Sequence, residues 1–276
     1  MRYSQERAMQ GISPKNILLR HELKPKKLLG QSFLNDHRVL RGIIQAADLS
    51  PRDVVLEVGP GLGVLTLELA KIAKKVVSVE KDPEMVHILK ESLKNKKNVK
   101  IIEGDILKTK LVLPKNYKIV ANIPYYITSP LLRMFLERTE GKAKLFVLMV
   151  QKEVAQRICA KPPQMSMLAV SVQFYAKPEI VSYVSKACFW PQPKVDSAVL
   201  RITPYAPKPS INPKAFFEVV RAGFKQPRKQ LGSNLAKGLL IQREKIEETL
   251  LKNGISPKQR AESLSVADWE RLAKTL

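Results

Sequence analysis

The stretch Val54-Val55-Leu56-Glu57-Val58-Gly59-Pro60-Gly61-Leu62-Gly63 constrains this chain more than any other. A mostly β-branched run makes a buried strand, a glycine-rich turn follows, and residues 64–72 have the apolar pattern of a helix. Glycine at such a turn permits a tight bend and lets a ligand lie close to the backbone. The unit then repeats. Lys75–Glu80 reads as a second strand. Asp82 and Pro83 next supply an N-cap and a first-turn proline to a helix with Met85, Val86, Leu89 and Leu93 on one face. Residues 99–103, 118–121 and 144–150 read as three more strands, with 131–136 helical between the last two. Strands alternating with helices predict an α/β fold with a mostly parallel, doubly wound sheet. Residues 180–184 and 195–202 add two strands around a proline-rich turn.

Pro204-Tyr205-Ala206-Pro207-Lys208-Pro209 has the composition of a stiff linker. Beyond it every pattern is helical: Phe216, Phe217, Val220 and Phe224 recur at helix spacing, and Ser265 with Asp268 predicts a capped final helix. Three parts are expected: a basic, partly flexible N-terminal segment over 1–27, the α/β domain over 28–204, and a small all-helical domain over 205–276.

The charge says what such a fold would meet. Against 25 Asp+Glu stand 48 Lys+Arg, a net charge of +23, which calls for a polyanionic partner, nucleic acid or an acidic membrane surface. The N-terminus has no apolar stretch of signal-peptide length. The longest apolar run, residues 145–150, is far short of the roughly 20 needed to span a bilayer, so nucleic acid is expected and a membrane is not. Cys159 and Cys188 cannot build a disulfide framework, and His21, His37 and His87 lack metal-ligand spacing. Metal-free chemistry in the reducing cytoplasm is expected. A generally basic protein with no such partner is the plain alternative, so the site chemistry has to decide.

Glycines at 59, 61 and 63 are spaced G-x-G-x-G, not the G-x-G-x-x-G that cradles a dinucleotide pyrophosphate. Glu80, ending the second strand, is placed to accept hydrogen bonds from a ribose diol. Asp105, just past the third strand, can accept from an adenine amine. Together they describe an adenosine-containing ligand at the carboxyl edge of the sheet, and S-adenosylmethionine fits better than NAD.

Asn122-Ile123-Pro124-Tyr125 follows the fourth strand. An adenine N6 lone pair is delocalised into the ring, so the amine is a poor nucleophile. The Asn122 side-chain oxygen and the Ile123 or Pro124 carbonyl form an acceptor pair for both amine hydrogens, which favours a pyramidal nitrogen. Positioning and charge complementarity then supply most of the catalysis. Tyr125 is expected to stack on a target base turned out of its helix, and Phe189 to form a second aromatic wall.

At these residues the chain resembles the rRNA adenine N6-dimethyltransferase family, in its KsgA-type branch of 16S rRNA dimethyladenosine transferases. The resemblance runs from about Leu28 to the C-terminus. It is carried by Gly30-Gln31-Ser32-Phe33-Leu34-Asn35-Asp36, the glycine turn, Asn122 to Tyr125, Gln151-Lys152-Glu153-Val154-Ala155, Phe189 to Ser197, Arg228 to Leu231 with Asn234-Leu235, and Arg260 to Leu264. It implies a Rossmann-like class I methyltransferase with a small C-terminal helical domain that docks on rRNA. It also implies dimethylation of two adjacent adenosines in a 3′-terminal loop of small-subunit rRNA, by a monomer acting on a preassembled 30S-like particle. Carried over, Gln31, Ser32 and Leu34 line the cofactor pocket and Gly59 and Gly61 form its floor. Glu80 holds the ribose, Asp105 the cofactor adenine, and Asn122 both the methionine end and the target amine; Tyr125 and Phe189 sandwich the base. Three departures stand out: Ser32 where the family often has Asn or His, Tyr126 where Asn is common, and a short loop at Pro162-Pro163-Gln164.

Three other functions fit parts of the pattern. The Erm type methylates large-subunit rRNA; Pro130-Leu131-Leu132 and the helical-domain motifs favour the small-subunit branch. A DNA adenine methyltransferase would need a target-recognition domain for which the helical tail leaves little room. A non-catalytic assembly or transcription factor on the same fold has no need of Glu80, Asp105, Asn122 and Tyr125 together.

Overall fold

The computed structural model describes residues 13–137, 142–206 and 211–276. Met1 to Ile12, in the expected flexible segment, and Pro207 to Pro209 of the expected linker lie outside the described residues. Contacts divide the chain into two compact units: residues up to Ala155 with Glu179–Pro204, and Gln156–Pro178 with Tyr205–Leu276. Residues 156–178, expected in the α/β domain, thus count with the helical one.

In chain order the first unit holds α1 (Pro14–Arg20), β1 (Phe33–Leu34), α2 (His37–Ala47), β2 (Val54–Val58), α3 (Val64–Ile72), β3 (Lys75–Glu80), α4 (Pro83–Ser92), β4 (Val99–Glu103), β5 (Lys118–Asn122), α5 (Thr128–Glu137) and β6 (Leu145–Gln151). Helix α6 (Lys152–Ile158) and strand β7 (Ala176–Val184) each contain a unit boundary, with α7 (Met167–Gln173) between them; β8 (Phe189–Trp190) and β9 (Ser197–Pro204) complete the strands. The sheet order is β4-β3-β2-β5-β6-β9-β7. Neighbours from β4 to β6 run parallel, and β9 lies antiparallel to β6, its Ser197 opposite Gln151. From β2 the chain winds outward through β3 and β4, then returns to lay β5 on the other side. That reversal leaves a crevice beyond the carboxyl ends of β2 and β5, where open α/β sheets take their ligands.

Burial explains the strand sequences. From Leu145 to Val150 every β6 residue is buried, as a parallel strand covered on both faces must be. One core cluster joins Val55, Val76, Val120, Val147 and Val199 to Leu40 and Ile43 of α2 and Leu69 of α3. Each fully buried aliphatic side chain contributes about 1.5–3 kcal/mol. Of the N-terminal segment, the described part is packed: Ser13 caps α1, and Ile17 and Leu18 pack with Phe33, Leu62, Met85 and Ile88.

In the helical unit, α8 (Pro213–Phe224), α9 (Leu231–Leu239), α10 (Arg243–Lys252) and α11 (Val266–Thr275) follow one another. Phe174 stacks on Phe216 at 4.0 Å and meets Phe217 edge-on. Asn234 donates to the carbonyls of Gly223 and Gln226 at 2.8 and 2.9 Å, tying down the end of α8. Ser265 and Asp268 form the expected capping box of the last helix.

Candidate active site

The glycine turn after β2 takes its shape from left-handed backbone at Gly59 (φ 65°) and Gly61 (φ 55°). A side chain at Gly61 would also press into the Phe33 ring at 3.1 Å, and one at Gly59 against Pro124 at 3.3 Å. Across the turn, β3 delivers Glu80. Its buried carboxylate accepts from the backbone N–H of Gly61 (3.1 Å), Lys81 (2.8 Å) and Asp82 (2.9 Å). Burial raises its pKa, and those three donors pull the other way without cancelling the rise.

Beside these residues lies a cavity of about 90 Å³. Of the expected residues, Gln31, Ser32, Leu34, Gly59, Gly61, Glu80, Asn122, Pro124 and Tyr125 all line it. Asp105 lines an adjoining pocket of about 50 Å³ with Ile106 and Tyr126, and the two share Gly59, Glu80 and Pro124. Asp105 accepts from Leu107 N at 3.0 Å and pairs with Lys81 Nζ at 3.1 Å. The Leu107 N–H chiefly, with help from Lys81, lowers its pKa.

Asn122 ends β5 half-buried, and its carboxamide makes no hydrogen bond among the described residues, so both ends of the amide are available. The Pro124 carbonyl already accepts from Ile127 N at 3.1 Å. Tyr125 starts a single 3-10 turn, and its hydroxyl is 2.6 Å from Ser197 Oγ at the head of β9. That contact holds the ring while burial raises the phenol pKa. An amide oxygen, a nearby carbonyl and a held aromatic ring can grip a flat heterocycle by its exocyclic amine.

One expectation needs correction. Phe189 lines neither cavity: it is 4% exposed and packs in the sheet's main core cluster. Its backbone instead pairs with Leu34, and Trp190 with Phe33, so β8 braces the strip that carries Gln31 to Leu34. The Ser32 hydroxyl donates to the Pro191 carbonyl at 2.7 Å and is spent on that brace. Gln31 is fixed at both ends of its amide, accepting from Lys26 N at 2.8 Å and donating to Asp82 at 2.6 Å. Asp82, read as a helix cap, does cap α4 through Glu84 N and also anchors Lys26 at 2.8 Å. The sequence could not show this second role, because its partner lies 56 residues away. Glu57 also lines the cavity; its one sequence signal was a carboxylate inside an apolar strand.

A model of the family described as ribosomal RNA adenine dimethylase matches residues 22–276. A "Ribosomal RNA small subunit methyltransferase A" from Dehalococcoides mccartyi is 46% identical over 264 residues, spanning 94% of this chain and 90% of the relative. One of the same name from Clostridium botulinum is 41% identical over 272 residues, spanning 95% and 98%. Among solved structures, a dimethyladenosine transferase from Plasmodium falciparum aligns with a TM-score of 0.77 at 27% identity, covering 87% of this chain and 95% of that one. The 23S rRNA methyltransferase ErmE aligns with a TM-score of 0.73 at 30% identity, covering 88% and 99%.

Proposed function

The chain belongs to the ribosomal RNA adenine dimethylase family, and from that premise we propose that it dimethylates N6 of two adjacent adenosines in a 3′-terminal loop of small-subunit (16S) rRNA, with S-adenosylmethionine as donor. The observation that carries the site assignment is Asn122: a half-buried, unpartnered carboxamide at the carboxyl end of β5, beside the glycine turn and Glu80. S-adenosylmethionine supplies a methyl group on a positively charged sulfur. The chain's own residues do the rest. Glu80 is held by three backbone donors with lone pairs to spare for ribose hydroxyls, and Asp105 stands in the adjoining pocket to accept from the donor's adenine amine. Gly59 and Gly61 keep the floor low enough for the methionine end.

The target amine fits the Asn122 oxygen and one backbone carbonyl. Since the Pro124 carbonyl is engaged by Ile127, the Ile123 carbonyl is the better second acceptor. Tyr125, with its hydroxyl on Ser197, offers one stacking face. With Phe189 in the core, its part in catalysis is indirect, through the brace under Gln31 to Leu34. No general base is required, because the nitrogen sheds its proton once the new bond has made it cationic.

We place the protein in the cytoplasm, acting as a monomer on a preassembled 30S-like particle. Among the described residues no helix is long and apolar enough to cross a membrane. The likeness to ErmE makes a large-subunit target the second reading, but identities above 40% to relatives named for the small subunit favour the first. Incubating the protein and donor with undermethylated small and large subunits, followed by mass spectrometry of rRNA fragments, tests this. Dimethyladenosine is expected in the small-subunit fragment; its appearance only in the large-subunit rRNA would reverse the assignment.

A further inference from the structure

Tyr183, next to last in β7, is 56% exposed and lines neither cavity. Its hydroxyl makes no hydrogen bond among the described residues. What surrounds the ring is basic. Lys152 Nζ lies over it, 5.2 Å from the centroid, a contact that is weak at an exposed site. Lys186, also exposed, follows three residues later. Neither lysine forms an ion pair among the described residues. Since Lys152 follows the carboxyl end of β6, its contact places the Tyr183 ring at the edge of the sheet that carries the site.

One residue fixes both lysine-bearing segments. Asp196 accepts from Lys152 N through its backbone carbonyl and from Lys186 N through Oδ1, each at 3.0 Å. The next residue, Ser197, opens β9 opposite Gln151 of β6 and holds the Tyr125 hydroxyl at 2.6 Å. In the sheet β7 is the neighbour of β9, and adjacent strands lie about 4.8 Å apart. Tyr183 therefore stands beside Tyr125, on the side away from the glycine turn, and all these residues belong to the first unit. A solitary exposed tyrosine is ordinary surface. This one shares a rigid anchor with the ring expected to meet the target base. An exposed ring flanked by ammonium groups is the arrangement that holds single-stranded nucleic acid, the base on the ring and the phosphates on the cations.

We propose that Tyr183, Lys152 and Lys186 form a separate subsite for the nucleotide next to the target adenosine, its base stacked on Tyr183 and its phosphate between the two ammonium groups. The proposal rests on the substrate reading above. An adenosine turned into the cavity at Asn122 leaves its neighbour without a stacking partner, and Tyr183 supplies a new one. Where two adjacent adenosines are modified, the subsite holds one while the other reacts.

Single-turnover methylation of undermethylated small subunits by the full-length protein, with donor in excess and protein concentration varied, tests it. Tyr183→Ala is expected to raise the half-saturating concentration about tenfold, as loss of one base–aromatic stack does, and to leave the saturating rate near that of wild type. Tyr183→Phe keeps the ring and should behave as wild type. Tyr183→Leu keeps apolar bulk without a flat ring and should resemble the alanine variant; a merely structural role would be rescued by it. Lys152→Gln should reduce the slope of log affinity against log salt by about 0.7–0.9, the effect of one phosphate contact. Calorimetric affinity for S-adenosylmethionine should be the same in all four variants, which reports an intact fold. Saturation of Tyr183→Ala at the wild-type concentration, with small subunits methylated by both, would overturn the subsite alone. Failure of wild type to methylate small subunits at all would instead overturn the substrate reading, and the subsite with it.

Discussion

Asn122 and Asp53 show how differently a polar residue can be employed in one sheet. Asn122 keeps its carboxamide free of protein partners among the described residues, at the carboxyl end of β5 and in the wall of the cavity. Asn122→Ala is expected to lower turnover by about a hundredfold or more, the usual effect of removing one preorganised hydrogen-bonding group. Donor affinity should change much less, so equal losses in single-turnover rate and calorimetric affinity would contradict its role on the amine. Asp53, before β2, is buried and structural. It pairs with Lys118 at 3.1 Å and Lys144 at 2.6 Å, while Lys118 also reaches the Ala47 and Asp48 carbonyls. Burial opposes the Asp53 charge, but the hydrogen bonds from Lys144, Ser50 and Lys118 outweigh it and hold the carboxyl well below the usual carboxylate range. A depressed carboxyl stabilises above its unfolded pKa of about 3.9 and loses that contribution as pH falls below it. Asp53→Asn should therefore cost about 3 kcal/mol near neutral pH, by analogy with broken buried pairs. In urea titrations the gap from wild type should narrow steadily below about pH 4.

Elements meet closely where a glycine lets them. In the helical unit, a Cβ at Gly223 of α8 would fall 2.3 Å from the Trp269 ring of α11, and Trp269 is fully buried. Neither the ring nor the helix backbone can move aside cheaply in a close-packed interior. Gly223→Ala is expected to destabilise this unit by about 1–3 kcal/mol despite alanine's better helix propensity. Thermal unfolding followed by tryptophan fluorescence reads the shift, and an unchanged or raised midpoint would contradict the packing. In the α/β unit the element that matters most to the site is the short β1–β8 pair, only two residues per strand. Period and propensity pick out longer strands, and a two-residue pairing between Phe33-Leu34 and Phe189-Trp190, so remote in sequence, leaves no local trace. For that reason the proline-rich turn was legible as a turn while Phe189 was misplaced: its aromatic character was visible, its side of the turn was not.

For the whole molecule, the charge is the dominant fact. With a net +23, binding to rRNA should weaken steeply with salt, by about a hundredfold or more between roughly 50 and 200 mM if several phosphates are neutralised. A flat salt response in filter-binding measurements would remove the basic surface from recognition. Among the described residues, the cavity beside the glycine turn is lined by Glu57 and Glu80 and by no lysine or arginine, in contrast to the charge of the chain as a whole.

The strands from β2 to β6, their parallel order, the glycine turn and the places of Glu80, Asp105 and Asn122 followed from sequence alone. Apolar period, caps and strand-end positions are local properties, and a parallel sheet delivers strand ends to one edge by geometry. Tertiary structure alone decided which side chains remain free. Gln31 and Ser32 were claimed by Asp82 and Pro191, Phe189 by the core, and residues 156–178 by the helical unit, while one oxygen of Glu57 was left without a partner. Each of those outcomes depends on a neighbour remote in sequence, and hydrogen-bond competition in a packed interior is settled only once the chain has folded.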